Sequence, residues 1–292
     1  MEPGTARLDA DEHTDGYAGL WCRGFGVDAP RVGSVAHVEG EVAVRAEVSC
    51  VEIRGVMSVE GALVSAVGSR RGTAAADRLC EACVELLAVD AAAISLVFDG
   101  ANTGTLGASS EQARRYDELQ FTLGEGPCLD SVARRVPTMV MDLAADVDTG
   151  RWPAYGPALL ATGVGGVFAL PVLVAGEYVG ALDLFRMRTA NLDGDDLVGA
   201  LVAAELAEMP LLDLLGEDLQ ETAADPDSPA WAELNKITRA EVSQATGMLI
   251  AQLDIGPAEA LVRLRAHAYA TNRSATEVAR AILERRLRLE PD

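Results

Sequence analysis

Histidine is scarce in this chain. There are three, His13, His37 and His267, and none falls between residues 73 and 215. A haem held by histidine inside that stretch is therefore excluded. Lysine is nearly absent and aromatics make up only 4% of the chain, so almost every basic side chain is an arginine. No G-x-x-x-x-G-K element occurs, which leaves nucleotide hydrolysis on a phosphate-cradling loop without support. Long apolar runs are missing too. The longest, Gly163 to Gly176, is interrupted by Pro171 and followed by Glu177, short of the ~18–20 residues of a spanning helix. The opening MEPGTARLDADEHTD is acidic and polar, unlike a secretory signal. A cytoplasmic protein with no membrane partner is expected.

Cysteines number five: Cys22, Cys50, Cys80, Cys83 and Cys128. An odd, scattered set points to reduced thiols rather than a disulfide framework. Cys80 and Cys83 form one C-x-x-C, but a structural zinc site needs a second pair. Their surroundings, ADRLCEACVELLAV, have the apolar spacing of an amphipathic helix, where small thiols belong to the core. A redox or metal pair is the alternative. No metal site and no cofactor is expected.

At 292 residues and 49% hydrophobic content, the chain suits two domains. Residues 1–72 carry no motif, with a valine-rich stretch at 35–56 compatible with one or two strands. Residues 73–215 alternate helical and strand patterns: a helix at 75–88, strand AAAISLVF at 91–98, a turn over 99–104, and a short second strand, TLGASS. A helix at 110–121 precedes the tight loop LGEGPC and a helix at 128–135. A strand at 138–141 is followed by the hairpin GGVFALPVLV and EYVGALDLFRM across Ala175-Gly176-Glu177. A helix over 193–215 closes the region. Residues 216–230 form an acidic, proline-punctuated linker. Residues 231–292 are helical.

Charge divides the chain. Of 24 Lys+Arg and 45 Asp+Glu, the segment 231–292 holds nine and eight. The remainder is strongly acidic and repels nucleic acid, so any RNA contact must lie on a local basic face. The apolar spacing in that segment predicts three helices. The first runs from Trp231 to Gln252, long enough for a connector or coiled coil. Pro257 suits the first position of the second helix. Ser274 and Glu277 have the spacing of a capping box opening the third.

Three elements occur here in order: Q-A-x-G (Gln244, Ala245, Gly247), L-R-x-H (Leu264, Arg265, His267) and N-R (Asn272, Arg273). This segment resembles the ANTAR module of bacterial transcription antiterminators. The resemblance implies RNA stem-loops as partners and a binding face of Arg239, Gln244, Thr246, Gly247, Arg263, Arg265 and Arg273, with Arg280 near it. Thr246 stands where ANTAR domains commonly carry lysine, which removes a phosphate-seeking cation. Gly247, a mid-helix glycine, implies close approach by another helix or by RNA.

The stretches L-Q-F-T-L-G-E-G-P-C, R-W-P, G-V-F-A-L-P-V and G-A-L-D-L-F-R look like a bacterial GAF domain of the kind fused to ANTAR. The joint resemblance implies an α+β GAF-like sensor domain followed by an all-α three-helix ANTAR-like domain. It implies a homodimeric antitermination regulator that is not an enzyme and has no catalytic residues. The N-K-F-D-E signature of cyclic-nucleotide GAF domains is absent. Cys128, near a helix N-terminus whose dipole lowers a thiol pKa, and Trp152, a stacking residue or packing lid, are the candidates for contact with a small molecule or redox signal. Two alternatives stay open: a GAF-fold methionine sulfoxide reductase using Cys80, Cys83 and Cys128, and a ligand-free dimerisation or protein-interaction regulator.

Overall fold

The computed structural model describes residues 59–215 and 237–290. The strands expected in 35–56, Cys22 and Cys50, the linker 216–230 and the start of the helix expected from Trp231 lie outside the described residues.

A helical stretch over 59–67 leads to α1 (Gly72–Leu86). Strands β1 (Ala91–Phe98) and β2 (Ala101–Ala108) follow, then α2 (Glu111–Leu123), α3 (Pro127–Arg134) and β3 (Thr138–Val140). Two short helices, α4 (Leu143–Val147) and α5 (Tyr155–Leu160), precede β4 (Gly166–Val174) and β5 (Glu177–Arg186). The strands make one sheet in the order β2-β1-β5-β4-β3, with every adjacent pair antiparallel. Helices α6 (Gly194–Leu206) and α7 (Glu208–Leu215) complete an α+β layout.

Both hairpins close through two residues with positive φ, Asp99 and Gly100 in one, Ala175 and Gly176 in the other. This is the turn geometry whose twist matches that of the flanking strands. The first turn is shorter than the expected 99–104. Asp-Gly reverses the chain by itself, so pairing resumes at Phe98 and Ala101, and Asn102 and Gly104 become strand residues. The helix expected over 193–215 is broken at Ala207, because Pro210 has no N–H for the carbonyl of Leu206.

Strand alternation sends two sets of side chains to opposite faces. Ile94, Leu106, Phe168, Leu170, Leu182 and Leu184 pack with Leu79, Cys80 and Cys83 of α1 and with Ala200 and Ala203 of α6. The C-x-x-C pair is thus core, as its helical pattern implies. Ala91, Ala93, Val167 and Phe185 pack beneath Tyr116, Trp152, Tyr155 and Leu159. This second face also carries polar residues, and they build the site below.

The C-terminal part is three helices, α8 (Ala240–Leu253), α9 (Pro257–Ala270) and α10 (Ala275–Leu283). Their core is Val242, Leu249, Leu264, Val278 and Ile282, joined by Phe121 from α2. Pro257 opens α9, and Ser274 with Glu277 forms a complete capping box on α10. The expected helix from Trp231 to Gln252 is not continuous. Thr238 and Arg239 form a turn, Arg239 sits at φ +50, and α8 begins only at Ala240. Left-handed backbone costs a residue with a Cβ about 1–2 kcal/mol, so Arg239 needs a compensating contact. Among the described residues no helix is long and apolar enough to cross a membrane.

Leu79 is fully buried and Val64 is 50% exposed. Leu79→Ala is expected to lower the unfolding free energy by about 2–5 kcal/mol, and Val64→Ala by no more than about 0.5 kcal/mol. Urea unfolding of the two variants checks this.

Candidate sensor core and helix docking site

The polar face of the sheet presents Ser95 from β1, Asn102 and Thr105 from β2 and Asp183 from β5, all buried. Above them α2 supplies Asp117 and Gln120, and α3 supplies Cys128. Asp117 is wholly buried and accepts from Ser95 Oγ, from Asn102 Nδ2 at 2.7 Å and from Thr105 Oγ1. Asp183 Oδ2 accepts from Gln120 Nε2 at 2.9 Å, while its Oδ1 has no partner among the described residues. Burial first, and the nearby Asp117 second, push Asp183 well above the usual carboxylate range, which favours its neutral form. The Ser95 hydroxyl lies within hydrogen-bond reach of both Asp117 and Asp183. One hydroxyl proton cannot serve two carboxylates. A protonated Asp183 resolves this by donating to Ser95, which donates to Asp117.

Arg239 is the cation of this site. Its Nε donates to Glu118 at 2.9 Å and its NH1 group to Asn102 Oδ1 at 2.9 Å. Its NH2 group donates to Thr105 Oγ1 and to Asp117 Oδ2, both at 3.0 Å. The guanidinium also lies over the Phe121 ring, 4.4 Å from its centre. These contacts offset the left-handed backbone of Arg239. Gly104 takes part through its lack of a side chain, because a Cβ there would collide with the backbone carbonyl of Ile237.

The docking extends along α2. Glu118 Oε1 accepts from the backbone N–H of Thr276 at 3.2 Å and from its hydroxyl at 2.8 Å. Thr122 Oγ1 accepts from the N–H of Ala275 at 3.1 Å. The N–H of Glu277 is held by Ser274 of its own capping box. The first helical turn leaves its amides without partners within the helix, and two of these on α10 are satisfied by α2. Arg265 from α9 lies 4.7 Å from the Phe121 ring centre, with its Nε buried and without a partner among the described residues. Burial, with Arg239 close by, holds Arg265 below the usual arginine range.

The residues expected to contact RNA therefore divide. Arg239 and Arg265 face α2. Gln244 is exposed and lines an open cleft of about 1010 Å³ with Thr105, Glu118, Arg239, Arg273 and Arg280. Thr246 turns its hydroxyl back onto the Val242 carbonyl at 2.7 Å. Gly247 is exposed, and an added Cβ would meet nothing within 4 Å; helix packing among the described residues does not account for it. Arg263 pairs with Glu259 at 3.1 Å, and Arg273 donates to the Glu277 carbonyl at 2.8 Å.

Cys128 and Trp152 also differ from a solvent-facing signal contact. Cys128 is fully buried, and burial together with Asp183 and Asp117 pushes its thiol up. The expected lowering by the α3 dipole is outweighed by desolvation and two carboxylates. Gly126, at φ 142, keeps this loop closed: a Cβ there would stand 2.5 Å from Gln120 Oε1, the atom that accepts from the Cys128 N–H at 2.9 Å. Glu125 accepts from the N–H groups of Ala154 and Tyr155 at 2.6 and 2.7 Å, which fixes the start of α5. Trp152 is buried edge-on against Tyr155 with centres 5.9 Å apart, beneath Arg151, and so packs as a lid. The reductase alternative needs an exposed nucleophilic thiol and a resolving partner. Cys80, Cys83 and Cys128 are all buried, and burial pushes Cys83 up to about 12.

Asp117 and Asp183 escape a reading of the sequence by motif. Their signal is positional: Asp183 interrupts the apolar run GALDLF, and Asp117 shares the buried face of α2 with Tyr116, Gln120 and Phe121. Carboxylates on a buried face are rare unless paired or functional.

A GAF domain model matches residues 73–208 and an ANTAR domain model matches residues 237–283. No curated protein matches the chain. Among solved structures, the chain is similar to fRMsr of Staphylococcus aureus in its reduced form, at 13% identity, covering 53% of this chain and 94% of that one with a TM-score of 0.42. It is also similar to the GAF domain of a phosphoenolpyruvate-protein phosphotransferase from Coxiella burnetii, at 16% identity, covering 53% and 94% with a TM-score of 0.38. A GAF domain and an ANTAR domain are thus both present, modules of sensing and of RNA binding in antitermination, and typically regulatory rather than catalytic.

Removing one partner of a buried pair leaves the other charge uncompensated. Arg239→Ala is expected to destabilise the chain by about 3–5 kcal/mol. Arg115→Ala, which removes an exposed pair to Glu111, is expected to cost at most about 0.5 kcal/mol. Denaturant titration of both variants measures the difference.

Proposed function

We propose that this chain, a GAF domain followed by an ANTAR domain, is a signal-responsive antitermination regulator whose GAF domain holds the ANTAR helices in a docked state. The observation that carries this reading is the burial of Arg239, 5% exposed and hydrogen-bonded to Asp117 at 3.0 Å. A cation of the expected RNA face is spent on a carboxylate of the sensor core, and Arg265 is turned onto Phe121 beside it. A signal that alters the polar core around Asp117 loosens Arg239. The ANTAR helices then present both arginines together with Gln244, Gly247, Arg263 and Arg273.

The acidic sensor domain supports the same direction. Docking places Glu118 and Asp117 against the arginines, and such carboxylates oppose a phosphate backbone. Undocking removes that opposition. Two ANTAR modules in a homodimer then engage paired RNA stem-loops, whose unstacked loop bases and phosphates suit a small basic helical face. The protein works where nascent transcripts are, in the cytoplasm.

RNA binding by fluorescence anisotropy tests the reading. Glu118→Ala loosens docking without removing any cation, and is expected to tighten binding of a structured stem-loop roughly 5–150-fold, the range of a typical coupling between sites. Arg273→Ala is expected to weaken binding and reduce its salt dependence. Unchanged affinity in Glu118→Ala, with wild type already binding at full strength, contradicts the docked-state reading. No structured-RNA binding by either protein contradicts the RNA reading itself.

A further inference from the structure

We propose that Asp117, Cys128 and Asp183 form a binding site for one divalent first-row transition ion of borderline softness, such as Zn²⁺ or Fe²⁺. The sequence offers no hint of it: the three residues form no motif, and no histidine lies between residues 73 and 215. The fold brings them together from α2, α3 and β5. One carboxylate oxygen from each aspartate and the Cys128 sulfur all lie within 4.8 Å of one another, and all three side chains are buried. Ligands bound tetrahedrally at about 2.0–2.3 Å stand roughly 3.3–3.8 Å apart, so closure shortens the separations by at most about 1.5 Å.

A second observation points to a ligand. Asp183 Oδ1 is fully buried and has no hydrogen-bond partner among the described residues, and the same holds for the hydroxyl of Tyr155. Each such atom costs about 1–3 kcal/mol. Tyr155 packs in the cluster that covers this face of the sheet. An apolar core has no use for such atoms there.

The donor set decides the ion class. Calcium takes six to eight oxygens and magnesium a near-ideal octahedron of them, which a thiolate and two carboxylates do not offer. Sulfur and carboxylate oxygen together suit ions of borderline softness. Binding displaces the protons of Asp183 and of the Cys128 thiol, and a divalent charge offsets the carboxylates and thiolate that result. Three protein ligands leave a fourth position for water or a small signal molecule, as in other open zinc sites. Asp117 already accepts from Ser95, Asn102, Thr105 and Arg239, so an ion bound to it displaces one of these donors, and loading reaches the arginine that docks the ANTAR helices. The ion site itself stands whether or not the chain binds RNA.

Co²⁺ added to the chelator-treated full chain is the probe. One Co²⁺ per chain is expected, with visible bands of low-symmetry coordination and a near-ultraviolet thiolate-to-cobalt charge-transfer band, displaced by Zn²⁺. Cys128→Ser is expected to lose the charge-transfer band and Cys83→Ala to keep it. Asp183→Asn, which retains the thiol, is expected to bind Co²⁺ at least tenfold more weakly and keeps the test decisive if the serine variant fails to fold. No band in folded wild-type protein, a band that survives Cys128→Ser, or undiminished affinity in Asp183→Asn overturns the proposal.

Discussion

The contact between Arg239 and Asp117 is the constraint on which the rest of this structure turns. A guanidinium 5% exposed meets a carboxylate with no exposure at all. Such a pair gains little over apolar side chains of the same volume, because both charges lose their water. Its value is geometric. Each donor finds a fixed acceptor, so only one placement of the turn before α8 satisfies the guanidinium. That placement forces a left-handed backbone at Arg239 and brings the Ile237 carbonyl against Gly104. It also sets Phe121 beneath two guanidiniums.

Glu118 carries the constraint onward. One of its oxygens accepts from Arg239 and the other from Thr276, so the carboxylate links the turn before α8 to the N-terminus of α10. Two segments distant from α2 in sequence thus depend on one of its side chains. Surface charge pairs are worth little individually, but this carboxylate is mostly buried and its acceptor positions are used from both sides. A change in the charge or hydrogen bonding of the polar core therefore has a short path to the ANTAR helices.

Local patterns in the sequence translate well into structure. Strand AAAISLVF, the hairpin around Gly176, Pro257 at a helix start and the Ser274–Glu277 box each depend on neighbours within a few residues. The amphipathic run around Cys80 and Cys83 likewise tells that both thiols are core. What the sequence hides is the meeting of distant residues. Asp117 reads as an ordinary helix acid and Asp183 as an interruption in a strand, and nothing local pairs them with Ser95 or Cys128. Arg239 resembles an RNA-facing cation because composition and motif proximity cannot say which way a side chain points once a turn reverses the chain. The dipole argument for Cys128 holds for the helix end alone and fails once burial and two carboxylates are counted. Two of the seven expected RNA residues, Arg239 and Arg265, are engaged with the sensor domain for the same reason.

The Arg239 contact holds the ANTAR helices on α2. Hydrogen exchange at the start of α10 tests this most directly, because its amides have different keepers. Ala275 and Thr276 rely on Thr122 and Glu118 of α2, while Glu277 relies on Ser274 of its own helix. In Arg239→Ala, faster exchange is expected at Ala275 and Thr276, with little change at Glu277. Unchanged exchange at all three amides would contradict it.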